Sequence, residues 1–247
     1  MRDAIYIVGL GLRAPDHVTR ETERILRRSR CVYYMHPDRR ARRYLRGLCP
    51  KVVNLFHHYG EGKDRDEIYG AIADEVISGA KRREPVAMAM PGHPRLLNTP
   101  TQMVLDRARK NGVGVKMLPG ISSFDSLLVD LNFDPVLGLQ AYMADSLILD
   151  RIRLRPDIPC LIWNPSGFGS DRFTFYQGPA GRFRRLREYL LRFYPRNHKA
   201  IVARCAVNSQ EKPRLRKIAL AHLESAEREL DGIGTLYIPP SATRRRH

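Results

Sequence analysis

Short apolar runs of β-forming residues alternate with helical patterns through the first 133 residues, and this alternation constrains the fold more than any other feature. Strands separated by helices pair in parallel, because a parallel partner is reached only through a crossover connection. The pattern predicts an α/β fold with a mostly parallel N-terminal sheet. The predicted strands are AIYIVG at 4–9, CVYYM at 31–35, VVNL at 52–55, PVAMAM at 85–90 and VGVKML at 113–118.

The helix after the third predicted strand has a recognisable start. Asp64 stands three residues before Glu67, which is the spacing of a capping box. Apolar residues then recur at the spacing of one helix face: Ile68, Ile72, Val76 and Ile77.

A second domain is predicted after FDPVLGLQ at 133–140, where proline and glycine separate two patterned regions. The predicted limits are 1–134 for an N-terminal α/β domain, 139–240 for a second, mixed α/β domain, and 241–247 for a basic tail. The second domain has predicted strands at 160–164, 199–205 and 234–238 and predicted helices at 182–194 and 215–226.

The chain is basic, with 43 Lys and Arg against 26 Asp and Glu and a formal net charge of +17. This balance favours an anionic partner, such as RNA, an acidic peptide or a carboxylate-rich tetrapyrrole. The arginines are spread over several predicted helices, as on solvated helix faces, so nucleic acid is the less favoured partner.

No stretch approaches the roughly 18 consecutive apolar residues of a membrane span. The opening MRDAIYIVGLGLRAPD has charges where a signal peptide needs an apolar run, so we expect a cytoplasmic protein without a membrane partner.

The cysteines form no CxxC motif and lie in apolar surroundings, which predicts reduced core thiols: Cys31, Cys49, Cys160 and Cys205. His57 and His58 are adjacent, and in an extended segment they would point to opposite sides, so they form no chelate on their own. We therefore expect no metal.

Glycine-containing segments follow the first, fourth and fifth predicted strands, at the edge where open α/β sheets bind ligands. GLGLRA at 9–14 matches the dinucleotide motif G-x-G-x-x-A, but Pro15-Asp16 follows at once, so a tight glycine turn is favoured. MPGHP at 90–94 either binds a ligand or is a simple connection with His93 exposed. LPGISS at 118–123 places Ser122 as a helix cap and leaves polar groups for a ligand.

Aromatic and charged residues are concentrated in NLFHHYGEGKDRDEIY at 54–69. If Tyr59, Arg65 and Tyr69 converge, the guanidinium would lower a phenol pKa from its usual value of about 10 and produce a general base. The alternative is a surface helix start, with Arg65 solvated and Tyr69 packed on the core. The residues alone leave both alternatives open.

Taken together, IYIVGLGL, the PGHP loop, the LPGISS turn and the closing GTLYIPP resemble the tetrapyrrole methylase superfamily over nearly the whole chain. Within it, FHHYGEGKDRDEIY is most similar to the corresponding tract of borosin peptide backbone α-N-methyltransferases of the omphalotin type. The resemblance implies two α/β domains with S-adenosylmethionine in the cleft between them and S-adenosylhomocysteine as product. It also implies a homodimer and no metal.

The resemblance assigns Tyr59, Arg65 and Tyr69 to a cluster that activates the substrate amide, while Phe56 replaces a tyrosine of omphalotin-type members. The implied cofactor contacts, several of them through backbone groups, are Pro91, His93, Leu96, Ser122, Ser123, Asn164, Gly232, Gly234 and Thr235.

The implied chemistry suits these residues. A peptide nitrogen is a poor nucleophile because its lone pair is delocalised into the carbonyl. The enzyme must remove or share the amide proton, stabilise the imidate oxygen and align the nitrogen with the sulfonium methyl. A tyrosinate would serve the first need, and Arg65 or a tyrosine hydroxyl would serve the second.

Only Ser241 to His247 follow Pro240, whereas fungal members of the group continue into their own substrate tail. The expected substrate is therefore a precursor peptide supplied in trans, as in borosin-type biosynthesis of ribosomally made peptides. One alternative is a methyltransferase of the same superfamily acting on a tetrapyrrole, another small molecule or RNA. The third is a domain that binds the cofactor without turnover, which does not need the Tyr59, Arg65 and Tyr69 cluster.

Overall fold

The computed structural model describes residues 4–82, 84–165, 172–173, 181–227 and 234–241. The described residues form two compact units. Unit 1 comprises Met1–Ser126 with Ala206–Glu211, and unit 2 comprises Leu127–Cys205 with Lys212–His247. The domain limits predicted from the sequence stay predictions, and nearly all of the predicted basic tail, from residue 242 onwards, lies outside the described residues.

Unit 1 alternates strands with helices. The strands are β1 Ile5–Gly9, β2 Cys31–Tyr34, β3 Val52–Asn54, β4 Val86–Met90 and β5 Val115–Leu118. The helices are α1 Arg20–Arg28, α2 Arg39–Leu48, α3 Arg65–Arg82 and α4 Thr99–Lys110. Helix α5, Ser123–Asp130, begins in unit 1, and its residues from Leu127 onwards belong to unit 2. The sheet order is β3-β2-β4-β1-β5 and every pairing is parallel. The carboxyl ends of these strands therefore share one edge of the sheet.

Burial follows from this topology. All residues of β2 and β4 are buried, as expected for central strands of a parallel sheet that is covered on both faces. The predicted helix after β3 is confirmed as α3, and its predicted apolar face, Ile68, Ile72, Val76 and Ile77, is buried. The Asp64 carboxylate accepts hydrogen bonds from the N–H groups of Asp66 and Glu67 at 2.8 and 3.2 Å, which caps this helix.

Unit 2 contains a second five-stranded sheet. Its strands are β6 Gln140–Met143, β7 Cys160–Trp163, β8 Lys199–Arg204, β9 Arg214–Ala219 and β10 Thr235–Ile238. Its helices are α6 Ala144–Leu149 and α7 Arg182–Leu190. The order is β6-β7-β10-β8-β9, with β6 parallel to β7 and the other pairs antiparallel. The predicted α/β class, with a parallel first sheet and a mixed second domain, is confirmed.

The helix predicted at 215–226 is wrong. The segment begins as β9, which pairs with β8 at the edge of the sheet, and it continues as 3₁₀ turns over Leu220–Ala226 with a kink at His222. The first four residues of β9 are exposed, so the strand carries no alternation of buried and exposed positions. Leu215 and Ile218 stand three residues apart and therefore imitate helical spacing.

The extended conformation assumed for His57 and His58 is also wrong. β3 ends at Asn54, and its side chain accepts a hydrogen bond from the Phe56 N–H at 3.1 Å. This cap starts a 3₁₀ helix, Leu55–His58, in which successive side chains do not alternate between two sides. The two histidine rings consequently lie beside each other, with centroids 4.1 Å apart.

The four cysteines, all among the described residues, are buried and form no disulfide, as predicted for core thiols. Among the helices of the described ranges, none has the length and apolar character needed to cross a membrane.

Candidate functional site

Three strand-end loops of unit 1 are hydrogen-bonded or packed together, at the ends of β1, β4 and β5. The Leu10 N–H donates to the Met90 carbonyl at 2.8 Å, and Gly11 and Gly92 exchange two backbone hydrogen bonds at 3.3 and 3.0 Å. The Gly11–Gly92 pair is an isolated antiparallel bridge beyond the parallel β1–β4 pairing, and these bonds hold the GLGL and PGHP segments side by side. The Gly9–Leu12 loop, the Pro91–Leu96 loop and the Pro119–Ser123 loop are called the loop cradle below.

Glycine is required where these loops meet. A Cβ added to Gly120 would lie 2.5 Å from the Gly92 carbonyl oxygen and 2.7 Å from the Gly9 Cα. A Cβ on Gly9 would meet the same Gly92 oxygen. The obstructing atoms belong to the backbone, so no side-chain rotation relieves them. The three loops can therefore pack this closely only because Gly9 and Gly120 lack a side chain.

The loop after β1 does not have the geometry of a dinucleotide site. That motif places a helix N-terminus directly after the glycines, whereas α1 begins only at Arg20. Its cap is Thr19, whose side chain accepts a hydrogen bond from the Thr22 N–H at 3.1 Å. Gly11 has a φ of 70° and lies in a tight turn, in agreement with the favoured interpretation of the GLGLRA segment.

Ser122 has the predicted role of a helix cap. Its Oγ accepts hydrogen bonds from the N–H groups of Phe124 and Asp125 at 3.1 and 3.3 Å at the start of α5. The Ser122 hydroxyl also donates to the Asp125 carboxylate at 2.5 Å, and the Ser122 N–H donates to it at 2.6 Å. Burial acts to raise the pKa of Asp125, but these hydrogen bonds outweigh it and the pKa is lowered. Asp125 is thus a second polar anchor of this loop that the sequence did not reveal.

The PGHP loop supplies a half-buried imidazole to the loop cradle. His93 Nδ1 accepts a hydrogen bond from the Arg95 N–H at 3.0 Å, and the His93 carbonyl accepts one from the Leu96 N–H at 3.1 Å. A neutral His93 must therefore carry its proton on Nε2. Pro91 and Leu96 are also half-buried. The predicted cofactor contacts of unit 1 thus lie on two of the loops that meet in the loop cradle: Pro91, His93, Leu96, Ser122 and Ser123.

The predicted contacts of unit 2 lie at one end of β7 and β10. Thr235 pairs with Trp163 in the antiparallel register, and Gly234 and Asn164 are the next residues along the chain beyond this pair. Asn164 has a φ of 50°, a left-handed conformation that asparagine tolerates better than most residues. The structure therefore brings together Asn164, Gly234 and Thr235, while Gly232 lies outside the described residues.

The predicted catalytic residues gather between the 3₁₀ helix Leu55–His58 and the first turns of α3. The Tyr59 ring lies 6.5 Å from the Tyr69 ring in an edge-on arrangement and 5.5 Å from the Phe56 ring. Arg65 and Tyr69 are four residues apart in α3 and share a helix face. Tyr59, Arg65 and Tyr69 are each half-buried. This group, with Phe56, is called the tyrosine cluster.

The expectation of a lowered phenol pKa is wrong for Tyr59. Burial is the largest effect and raises the pKa of Tyr59, and the neighbouring Tyr69 raises it further. The Arg65 guanidinium does lower the Tyr59 pKa, but it does not outweigh the loss of solvent. Tyr59 therefore keeps its proton at neutral pH and is a hydrogen-bond donor in the free protein.

A parallel sheet with glycine loops at its strand ends, joined to a mixed second sheet, is the fold of the tetrapyrrole methyltransferases. The chain belongs to the tetrapyrrole (corrin/porphyrin) methylases, whose family profile matches residues 4–219. Members of this family use S-adenosylmethionine as methyl donor, in agreement with the prediction from the sequence.

Three curated proteins are similar to this chain in sequence over most of its length. A methyltransferase and cyclic peptide gymnopeptides precursor from Gymnopus fusipes is 27% identical over 240 residues, covering 96% of this chain and 57% of the relative. A type I borosin cyclic peptide precursor methyltransferase from Gymnopilus junonius is 29% identical over 244 residues, covering 96% and 57%. A type II borosin precursor methyltransferase from Phlebiopsis gigantea is 28% identical, covering 96% and 43%. The chain spans about half the length of these relatives.

Solved structures share the fold at lower identity. Uroporphyrin-III-C-methyltransferase from Thermus thermophilus aligns with a TM-score of 0.67 and 17% identity, covering 97% of this chain and 93% of that one. Diphthine synthase aligns with a TM-score of 0.66 and 14% identity, covering 97% and 91%. A Thermus enzyme complexed with S-adenosylhomocysteine aligns with a TM-score of 0.59 and 17% identity, covering 95% and 91%.

The loop cradle fits the family cofactor. Gly92 has a φ of 65°, and a Cβ built on it would be in ordinary contact with Leu12 Cδ2 at 3.7 Å and Ser122 Cα at 3.8 Å, so the three loops pack directly on one another there. The surrounding groups are backbone amides and carbonyls, the His93 imidazole and the serines that begin α5. A nucleoside ligand is oriented by a small number of such donors and acceptors.

Proposed function

We propose that this chain is a methyltransferase that transfers the methyl group of S-adenosylmethionine to backbone nitrogens of a precursor peptide. Two findings support the substrate class. The curated relatives carry cyclic peptide precursors in the same polypeptide as the methyltransferase. The tyrosine cluster places two phenols and a guanidinium together within unit 1.

The single observation that carries the proposal is the pairing of Tyr59 with Tyr69, with the charge of Arg65 acting on Tyr59. An amide needs a donor at its oxygen and an acceptor at its N–H before its nitrogen becomes nucleophilic. Two phenols with ring centroids 6.5 Å apart can supply one of each to a single peptide unit.

Tyr59 is the group that we assign to the amide oxygen. Its raised pKa keeps the hydroxyl protonated, so it donates a hydrogen bond to the oxygen on which negative charge develops. Arg65 favours the phenolate form of Tyr59, which makes the Tyr59 hydroxyl a stronger donor. This role replaces the tyrosinate base expected from the sequence.

Tyr69 is the group that we assign to the amide N–H. Its oxygen accepts a hydrogen bond from the N–H, and the proton passes through it to water because the side chain is only half-buried. As the N–H bond breaks, the nitrogen lone pair forms the new bond to the methyl carbon, and the carbon–sulfur electron pair stays on sulfur. S-Adenosylmethionine, when bound, supplies the electrophilic methyl group, and the loop cradle residues would hold its nucleoside part.

A separate precursor peptide and a homodimer stay predictions. The substrate peptide must present free backbone amides, so it has to bind without internal helix or sheet hydrogen bonds. A disordered segment that becomes ordered on binding meets this requirement at a cost in affinity.

The substrate class is tested by incubating the full chain with methyl-labelled S-adenosylmethionine and three acceptors in parallel. These are peptides encoded by short neighbouring reading frames, total RNA, and a carboxylate-rich tetrapyrrole. Label on a peptide, with none on the other two, supports the proposal. Label confined to RNA or to the tetrapyrrole would leave the family membership intact and refute the peptide substrate.

A further inference from the structure

Three side chains of the types that bind metal ions meet in unit 1, and none of them belongs to the tyrosine cluster or to the loop cradle. His57 and His58 come from the 3₁₀ helix Leu55–His58, and Glu75 comes from α3. The Nε2 atoms of His57 and His58 lie 3.0 and 2.7 Å from the same carboxylate oxygen of Glu75. The donor atoms of all three residues lie within 4.8 Å of one another.

The local fold produces this convergence. The 3₁₀ turn sets the two rings beside each other rather than on opposite sides of a strand. The ammonium of Lys63 donates a hydrogen bond to the His58 carbonyl at 3.1 Å and ties the following loop back to the turn. His57 is exposed, while His58 and Glu75 are half-buried, so a small ion can reach the cluster from solvent.

The hydrogen bonding of His57 determines which of its nitrogens carries the proton. Nδ1 lies 2.6 Å from the Asn54 carbonyl oxygen, which can only accept, so Nδ1 must be the donor. In the neutral imidazole, Nε2 then directs a lone pair at the Glu75 oxygen, which is also an acceptor. Two acceptors at this distance need a cation between them, which is either a proton or a metal ion. A histidine that binds a metal through Nε2 usually donates its Nδ1–H to an acceptor such as a backbone carbonyl, and His57 has this arrangement.

We propose that His57 Nε2, His58 Nε2 and the Glu75 carboxylate form a binding site for a divalent transition metal, with Zn²⁺ as the preferred ion. Tetrahedral Zn²⁺ with bonds of about 2.0–2.1 Å separates its ligand atoms by roughly 3.3 Å. The two present nitrogen–oxygen distances, 3.0 and 2.7 Å, need to open by only a few tenths of an ångström. Two imidazoles disfavour Mg²⁺ and Ca²⁺, which prefer oxygen ligands.

The site joins the 3₁₀ turn to α3. Tyr59 follows His58 directly, and Tyr69 precedes Glu75 in the same helix. A bound ion would therefore fix the distance between the two segments that carry the tyrosine cluster. It would act as a positioning clamp, with three protein ligands and one position left for water. The inference does not depend on the identity of the methyl acceptor.

The test uses the full chain, stripped of metal with a chelator and titrated with Co²⁺ as a visible probe, then with Zn²⁺. We expect one Co²⁺ per chain, with the intense visible absorption of a tetrahedral site, displaced by one equivalent of Zn²⁺. We also expect Zn²⁺ to raise the melting temperature. Glu75→Gln and His58→Gln should each weaken binding at least 10-fold and abolish the thermal shift.

The matched control is His222→Gln, which removes an exposed histidine from unit 2 and should leave both signals unchanged. Circular dichroism of each metal-free variant establishes that it is folded. The proposal is overturned by absence of Co²⁺ absorption and of a Zn²⁺ thermal shift in the wild type. It is equally overturned if folded Glu75→Gln and His58→Gln variants bind as tightly as the wild type.

Discussion

Substituting Gly120 by alanine tests whether the loop cradle depends on close backbone packing. The added Cβ would lie 2.5 Å from the Gly92 carbonyl oxygen and 2.7 Å from the Gly9 Cα. Favourable contacts between heavy atoms lie at about 3.5–4.0 Å, so the loops must separate by roughly 1 Å. Overpacking of this kind costs about 1–3 kcal/mol. For a chain of this size, that lowers the melting temperature by about 2–12 °C.

The assay combines thermal unfolding with calorimetric titration of S-adenosylmethionine. We expect Gly120→Ala to lower the melting temperature by this amount and to weaken S-adenosylmethionine binding at least 10-fold, because separating the loops moves the groups that hold the ligand. The control is Gly47→Ala in α2, where an added Cβ meets no atom within 4 Å. Alanine is the better helix former there by about 0.5–1 kcal/mol, so stability should be unchanged or slightly higher. Equal melting temperatures and equal affinities for the two variants would refute the packing argument.

Two further predictions concern the tyrosine cluster and a buried histidine. Arg65→Ala and Tyr69→Phe should each lower the single-turnover rate of methyl transfer by about 100-fold or more, with little change in calorimetric affinity for S-adenosylmethionine. The control, Tyr44→Phe in α2, should preserve both the rate and the affinity. A variant that loses cofactor affinity but keeps its transfer rate would contradict the assignment. Burial lowers the folded-state pKa of His36 below its ordinary value of 6.5, so the unfolded chain takes up its proton first and the free energy of unfolding should fall as the pH drops below about 6.5. His36→Asn keeps an acceptor for the Asp38 N–H, and it should make the midpoint of urea unfolding depend less on pH between pH 7.5 and 5.5. An unchanged pH dependence would show that His36 does not cause the loss of stability at low pH.

The first sheet was predictable because its central strands are buried along their whole length. β2 and β4 therefore appear in the sequence as continuous apolar runs between turn signals. β9 was not predictable, since it is an exposed edge strand whose apolar residues imitate helical spacing. β6 was not predicted either, because it begins with the polar residue Gln140. The Gln140 side chain is hydrogen-bonded to backbone groups of residues 155 and 158, so its burial depends on a distant segment of the chain.

The candidate site was partly predictable for a similar reason. Carboxyl ends of parallel strands share an edge, so the strand-end loops could be expected to meet, and Ser122 could be expected to cap a helix. The pKa of Tyr59 could not be predicted, because its direction depends on how much solvent the fold removes. The sequence did not reveal that Glu75 contacts His57 and His58. That contact depends on the 3₁₀ turn and on the packing of the turn against α3.

The central claim is that the methyl acceptor is a backbone nitrogen, and fragmentation mass spectrometry of the labelled product tests it most directly. The full chain is incubated with trideuteromethyl-labelled S-adenosylmethionine and a candidate precursor peptide, and the product is fragmented along its backbone. The account predicts that each label stays with a single residue whose side-chain fragment ion is unlabelled, and that the Tyr69→Phe variant forms little of this product. Label that travels with side-chain fragments, or a peptide that stays unlabelled while another acceptor is methylated, would contradict it.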